Sequence, residues 1–116
     1  MTYCLGILNA GGLVFGADSR TNAGVDYIST YHKIFDFTAP GDRAIVLCTS
    51  GNLSVTQSVM HEVHRDIKNQ VDPNLYTLES LYDVARYIGG KIRHVQEIDR
   101  PWFKRDNIDF QCNFLV

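Results

Sequence analysis

Cysteine, proline and tryptophan are scarce in this 116-residue chain, which contains three, three and one of them. The cysteines, Cys4, Cys48 and Cys112, are an odd number at wide spacing in apolar segments, as expected for reduced core residues of a cytoplasmic protein. Basic residues are not in excess, and the formal net charge is −2. This charge does not indicate binding to nucleic acid or to an anionic membrane. No apolar run approaches the ~20 residues of a membrane span, and none is typical of a signal peptide.

The composition that remains is ordinary for one globular domain, with 45% hydrophobic and 21% charged residues. Several strand patterns come first, then two helical patterns and a last alternating segment, an order that predicts an α+β fold. The chain stops inside that last segment, residues 108–116, with no turn or polar tail after it. We therefore expect residues 1–116 to be the N-terminal part of a single larger domain, truncated at its C-terminus.

A hairpin is predicted at the start of the chain. The turn sequence Asn9-Ala10-Gly11-Gly12 lies between two apolar segments, and Asn and Gly tolerate the positive φ that tight turns require. A turn centred between Ala10 and Gly11 pairs residues whose numbers sum to about 21. This register places Thr2 across from Ser19 and beside Asp18. Taken alone, Asp18 is as readily explained as a strand-end residue that caps a turn.

Thr2 directly follows the initiator Met1. If Met1 is removed, Thr2 carries a hydroxyl nucleophile and a free α-amine on one residue, so the threonine brings its own general base. That arrangement would make the chain a hydrolase. Most proteins with threonine in second place are not hydrolases, so the hypothesis depends on the charged residues nearby, Asp18 and Lys33.

The rest of the chain predicts two more strands and two helices. The strands are expected at residues 33–37 and 43–49. The first helix should bury Leu53, Thr56, Val59, Met60, Val63 and Ile67. The second should have Thr77 as its N-cap and bury Leu78, Leu81, Tyr82, Ala85, Ile88 and Ile92. The aromatic and basic run at residues 100–105 is expected to be a surface loop anchored by Trp102.

One helical segment carries two histidines, His61 and His64, that could share a face. The spacing is not that of a zinc helix, and no third ligand is evident. A solvated helix face is therefore the favoured interpretation, and we expect neither a metal ion nor a cofactor.

Several of these residues together resemble a known family. They are Thr2, the strand pair, Asp18-Ser19-Arg20-Thr21, Gly24, His32-Lys33-Ile34-Phe35, and Thr49-Ser50-Gly51 followed by Thr56-Gln57. In order and spacing they are similar to a proteasome β-type subunit, and most similar to the bacterial homologue called Anbu, the ancestral β subunit. The run Thr2-Tyr3-Cys4 directly after Met1, as expected for a chain without a propeptide, also fits that group.

The resemblance implies a fold, a site and an assembly. The fold would be the four-layer αββα sandwich of N-terminal nucleophile hydrolases, of which this chain is the N-terminal half. Thr2 would be the nucleophile, Asp18 and Lys33 the charged pair beside it, and the backbone N–H of Gly51 an oxyanion donor. The partners would be a peptide or amide substrate and further copies of the chain, in a ring or an open spiral.

Two functions remain open at this point. The chain is either a threonine-type peptidase or amide hydrolase, or a catalytically silent subunit with a structural or binding role. Retention of Thr2, Asp18, Lys33 and Gly51 together favours the hydrolase, since an inert relative has no need of all four.

Overall fold

In a computed structural model, the chain is described over residues 2–22 and 28–116. The described residues form an α+β arrangement of seven strands and two helices. The strands are β1 (Cys4–Asn9), β2 (Gly12–Ala17), β3 (Arg20–Asn22), β4 (Ile28–Thr30), β5 (Ile34–Asp36), β6 (Val46–Gly51) and β7 (Cys112–Leu115). The helices are α1 (Leu53–Lys68) and α2 (Leu81–Arg105). The chain divides into two compact units, one built from the residues up to Ser50 with Asn113–Leu115, the other mainly from Gly51–Cys112.

The hairpin of β1 and β2 confirms the predicted register. Cys4 pairs with Ala17 and Asn9 with Gly12 in an antiparallel ladder, so paired residue numbers sum to 21. The side chain of Asn9 accepts a hydrogen bond from the Gly11 amide at 2.8 Å, which closes the turn locally. One further backbone bond, from the Asp18 amide to the carbonyl oxygen of Tyr3 at 3.0 Å, extends the pairing beyond the strands. The hairpin therefore holds Asp18 beside the first residues of the chain.

Two further sheets follow the hairpin. Strands β3 and β4 form an antiparallel pair, and β5, β6 and β7 form a three-stranded sheet in that order. Ile34 pairs with Cys48, and the amide of Thr49 donates to the carbonyl oxygen of Lys33 at 2.9 Å. The backbone of Lys33 is thus fixed directly before β5. The strand predicted at residues 33–37 is two residues longer than β5.

Helix α1 begins directly after its N-cap residue, Asn52. The side chain of Asn52 accepts from the Val55 amide at 3.1 Å, the usual N-cap bond. The centre of the predicted apolar face is confirmed, because Thr56, Val59, Met60 and Val63 are buried. The two predicted end residues, Leu53 and Ile67, are half-buried.

Helix α2 differs from the prediction at both ends. Its N-cap is Ser80, whose hydroxyl accepts from the Asp83 amide at 3.1 Å, and not Thr77. The Thr77 hydroxyl is engaged in the preceding turn, where it accepts from the Asn74 amide at 2.9 Å. The helix also continues through Pro101 to Arg105, so the predicted surface loop at residues 100–105 is wrong.

The buried side of α2 agrees with the prediction at Ile88 but differs from it in the first turn of the helix. Val84, Ile88 and Val95 are buried, whereas Leu81 and Tyr82 are 66% and 71% exposed. Trp102, expected to anchor a loop, is 60% exposed. Leu81 shares a helix face with Val84 and Ile88, but it is the first residue of the helix, directly after the Ser80 cap, and it is exposed.

A charged bridge joins the two helices. The Nζ of Lys91 on α2 lies 2.6 Å from Oδ2 of Asp66 on α1, and the hydroxyl of Tyr87 donates to the same oxygen at 2.7 Å. Burial opposes ionisation of Asp66, but the bonds from Lys91 and Tyr87 outweigh it and lower its pKa. Burial, and then the Asp66 carboxylate, raise the pKa of Tyr87, so the phenol remains a donor.

Replacing Lys91 by methionine should therefore destabilise the chain by about 3 kcal/mol, because it leaves the buried Asp66 carboxylate without its cation. Urea unfolding at neutral pH measures the loss. Arg105→Met is the matched control, since the Arg105–Asp106 pair is largely exposed and should contribute less than about 1 kcal/mol. Equal losses in the two variants would contradict the assignment of a buried bridge.

Candidate active site

The Asp18 carboxylate is fixed by backbone amides at the end of the hairpin. Its Oδ1 accepts from the Tyr3 amide at 2.7 Å, and its Oδ2 accepts from the Arg20 amide at 3.1 Å. Asp18 therefore does cap the turn, as the simpler interpretation had it. The same Oδ2 also lies 3.0 Å from the Nζ of Lys33, so the capping role and the charged pair coexist in one side chain.

Lys33 is buried and all its donors are used. Its side chain is 6% exposed. The Nζ donates to three oxygens: Thr2 Oγ1 at 3.1 Å, Asp18 Oδ2 at 3.0 Å and the carbonyl oxygen of Arg20 at 2.6 Å. An ammonium group has three N–H donors and no acceptor, so the geometry is that of a saturated cation. In this arrangement Lys33 is a fixed positive charge beside the Thr2 hydroxyl and has no lone pair with which to act as a base.

The charge state of Asp18 follows from these contacts. The amide of Tyr3 and then the Lys33 ammonium lower the pKa of Asp18 to about 2. Asp18 is therefore ionised throughout the neutral range. Because the folded pKa of Asp18 lies below the ordinary carboxyl value, its pairing with Lys33 stabilises the fold at neutral pH. This stabilisation is lost only as the pH falls below the ordinary carboxyl pKa toward about 2.

Three of the four residues predicted for the site thus meet in one cluster. Thr2 is half-buried, and its hydroxyl lies within hydrogen-bond distance of Lys33. Asp18 completes the cluster from the hairpin end. The predicted removal of Met1 concerns a residue outside those that the structure describes.

Gly51, the fourth predicted residue, is the last residue of β6 and belongs to the other compact unit. Its φ of +96° is a value that residues with a side chain rarely adopt. A Cβ built on Gly51 would lie 2.8 Å from the Cα of Cys112, closer than real contacts allow. The position therefore requires glycine for two independent reasons, its backbone angle and the chain that passes against it.

Three groups around these residues were not foreseen. The Tyr3 amide and the Arg20 carbonyl are backbone groups, which leave no trace in a sequence pattern. The third is Asn52, which the sequence could have indicated, because an Asn directly before a helical pattern is a typical N-cap.

The cysteines offer no competing nucleophile in the described residues. Burial raises the pKa of Cys4, Cys48 and Cys112, so each favours the thiol over the reactive thiolate. The Sγ of Cys4 also lies 3.6 Å from the carbonyl oxygen of Thr49.

The two histidines considered for a metal site lie on α1. The ring of His64 is hydrogen-bonded to the Met60 carbonyl oxygen at 2.7 Å. Over residues 2–22 and 28–116, no group of three or more potential ligands is close enough to hold a metal ion. In the same described ranges, neither helix has the length and apolar character needed to cross a membrane.

Comparison with known proteins gives matches among solved structures. No protein-family model and no curated protein matches the chain. The helical assembly of the Anbu complex from Pseudomonas aeruginosa superposes with a TM-score of 0.88 at 36% identity, over 98% of this chain and 46% of that one. A Gly-1 mutant of Anbu from Hyphomicrobium sp. strain MC1 gives 0.82 at 36% identity, with 98% and 45% covered.

A third match agrees with these two. Anbu, the ancestral β-subunit, from Yersinia bercovieri gives a TM-score of 0.78 at 38% identity, over 98% of this chain and 45% of that chain. The chain thus spans a little less than half the length of the structures it matches. On identity over nearly its whole length, the chain belongs to the Anbu family of proteasome-like β subunits.

Proposed function

We propose that the chain belongs to a threonine-type peptidase or amide hydrolase whose nucleophile is the hydroxyl of Thr2, exposed as an N-terminal residue by removal of Met1. The observation that carries the proposal is the position of the Lys33 Nζ, 3.1 Å from Thr2 Oγ1 and 3.0 Å from Asp18 Oδ2. A buried cation held by a carboxylate and touching a hydroxyl favours the ionised form of that oxygen. The α+β fold and the Anbu relatives support assignment to the four-layer αββα sandwich of N-terminal nucleophile hydrolases.

The roles of the residues follow from their charges. Lys33 has no free lone pair, so the proton of Thr2 must go to another base. The α-amine of Thr2 fits, because an unperturbed α-amine has a pKa of ~7.7–8.0, close to neutral pH. The Lys33 cation disfavours protonation of that amine. Asp18 holds the lysine in place and balances its charge.

The proposed reaction conserves every proton. The Thr2 oxygen adds to the amide carbonyl carbon, and the hydroxyl proton passes to the α-amine. The C–N bond of the substrate then breaks, the leaving amine takes that proton, and an ester remains on Thr2. Water adds to the ester by the same route, releasing the acid and restoring the hydroxyl.

Gly51 would stabilise the oxyanion of this reaction through its amide. The Asn52 amide donates to the carbonyl oxygen of Gln111 at 2.8 Å, so the backbone that follows Gly51 is held in place. Removing one oxyanion donor from an acyl-transfer enzyme costs ~10²–10³ in rate.

We propose that the chain functions in the cytoplasm. The three cysteines are free, as expected in a reducing compartment. We further propose that the chain assembles with copies of itself, supported by the helical assembly of the relative from Pseudomonas aeruginosa. The apolar groups left exposed, among them Leu8 at 80% and Trp102 at 60%, support the same proposal.

The first prediction from the proposed mechanism concerns Met1. We expect intact-mass measurement of the purified protein to show loss of the initiator methionine, because Thr2 is small. Retained Met1 would turn the amine into an amide and move the free terminus by ~3.8 Å. Thr2→Val is the matched control: it keeps a small second residue but has no hydroxyl, so it should be processed and unreactive. An active preparation that retains Met1 in full would contradict the mechanism.

The second prediction concerns the charged pair. Lys33→Ala should slow acylation of Thr2 by a peptide β-lactone roughly 10³–10⁴-fold, as for loss of a member of other nucleophilic triads. Asp18→Asn should have nearly the same effect, because the lysine loses its partner. The rate is measured by intact mass after timed labelling.

Asp36→Asn provides the matched control for charge. Asp36 also has its pKa lowered, by hydrogen bonds from the Thr38 hydroxyl and amide, and these bonds involve none of Thr2, Asp18 and Lys33. Labelling should be unchanged in Asp36→Asn. Unchanged labelling in Lys33→Ala and Asp18→Asn as well would favour the catalytically silent subunit.

The third prediction is association. Sedimentation velocity over a series of concentrations should show a discrete species larger than the monomer, because the exposed apolar side chains need cover. A single monomeric species at every concentration would contradict the proposed assembly.

A further inference from the structure

The chain segment that follows α2 returns to the end of β6 and contacts Gly51 directly. A Cβ on Gly51 would meet backbone atoms of both Gln111 and Cys112. The next residue, Asn52, donates from its amide to the carbonyl oxygen of Gln111 at 2.8 Å. The backbone on one side of Gly51 is thus held by a segment some 60 residues away in the chain.

The side chain of Asn52 makes a second bond to the same segment. Its Nδ2 donates to the carbonyl oxygen of Asp109 at 2.8 Å, while its Oδ1 accepts from the Val55 amide at 3.1 Å as the helix cap. One side chain therefore ties the start of α1 to the segment that packs on Gly51.

Two further hydrogen bonds hold the same segment. The Oδ1 of Asp109 accepts from the Gln111 amide at 3.0 Å, and the Nε2 of Gln96 on α2 donates to the Phe110 carbonyl oxygen at 3.2 Å. The segment that supports Gly51 is therefore held by two side chains from outside it, Asn52 at the N-cap of α1 and Gln96 on α2.

We propose that Asn52 is a positioning residue for the amide of Gly51, an inference that rests on the proposed role of that amide as oxyanion donor. Glycine has no Cβ, so its own side chain restricts its backbone angles less than that of any other residue. The direction of its N–H therefore depends on how its neighbours are held. Asn52 supplies that restraint through the bond of its Nδ2 to Asp109, separately from its function as a helix cap.

Two substitutions separate the restraint from the cap. Asn52→Ser and Asn52→Asp both keep an oxygen that can accept from the Val55 amide, and Ser, Asp and Asn are about equally good N-caps. Both lose the donor to Asp109. We expect each variant to lower the maximal acylation rate by a peptide β-lactone roughly 10- to 100-fold, because a misplacement of ~1 Å in a reacting site can cost that much. The probe concentration at half-maximal rate should stay unchanged.

Asn74 provides a control with the same chemistry. Its Nδ2 donates to the Val71 carbonyl oxygen at 2.8 Å, and its Oδ1 accepts from the Tyr76 amide at 2.8 Å. Asn74→Asp loses an equivalent donor in the same compact unit. It should reduce stability without altering the acylation rate.

A second measurement reads Gly51 itself. In ¹⁵N-labelled protein, the Gly51 amide signal should shift and exchange faster with solvent in Asn52→Ser, while Asn74→Asp leaves it unchanged. This measurement does not require the protein to be active.

The outcomes are distinct. If the wild type is not acylated, the proposed function fails, whatever the variants do. If the wild type is acylated and both Asn52 variants react at its rate, the positioning role is wrong. A loss confined to Asn52→Asp would assign the effect to the added charge and would also overturn the role, as would an unchanged Gly51 signal in Asn52→Ser.

Discussion

The contact on which the candidate site depends is the one that the Lys33 ammonium makes with three oxygens. A buried lysine is expensive unless it is paired, and here one carboxylate, one hydroxyl and one backbone carbonyl share its three protons. Asp18 can serve as the partner only because the hairpin brings it back beside the chain start, where the Tyr3 amide fixes its other oxygen. The turn at Asn9 to Gly12 is therefore a requirement of the charged cluster.

Because all three N–H donors of Lys33 are used, it can stabilise charge but not also act as a base. A fixed cation stabilises negative charge on a neighbouring oxygen, whereas a base must offer a lone pair. Lys33 is arranged for the first task, so the proposed chemistry leaves the second to the amine of Thr2. An arginine at this position would not be equivalent, because its planar fork of five donors cannot match three oxygens gathered around one point.

The sequence predicted the structure correctly where neighbouring residues favour one local conformation, and incorrectly where two residues could fill the same structural role. The hairpin register could be predicted because the turn residues and the apolar segments require the same pairing. The start of α2 could not, because Thr77 and Ser80 are both good caps and the choice depends on the Thr77 hydroxyl being used in the preceding turn. The loop predicted at residues 100–105 is helical because α2 continues through Pro101. Beyond the proline, the ring of Phe103 stacks on that of Phe110, with the ring centroids 5.9 Å apart. At the site, register placed Asp18, and family resemblance added the roles of Lys33 and Gly51. The backbone partners at Tyr3 and Arg20 became visible only in three dimensions.

The bond from Asn52 to Asp109 has a consequence for the order of folding. It joins residues 57 apart in the chain, whereas the bond from Tyr3 to Asp18 spans only 15. Closing the longer loop costs about 1 kcal/mol more chain entropy, because the cost rises with the logarithm of loop length. We therefore expect the hairpin to be able to form early and from local contacts alone, while the support for Gly51 waits until both helices are in place. The support beneath Gly51 would then be among the last contacts made in folding and among the first lost in local unfolding.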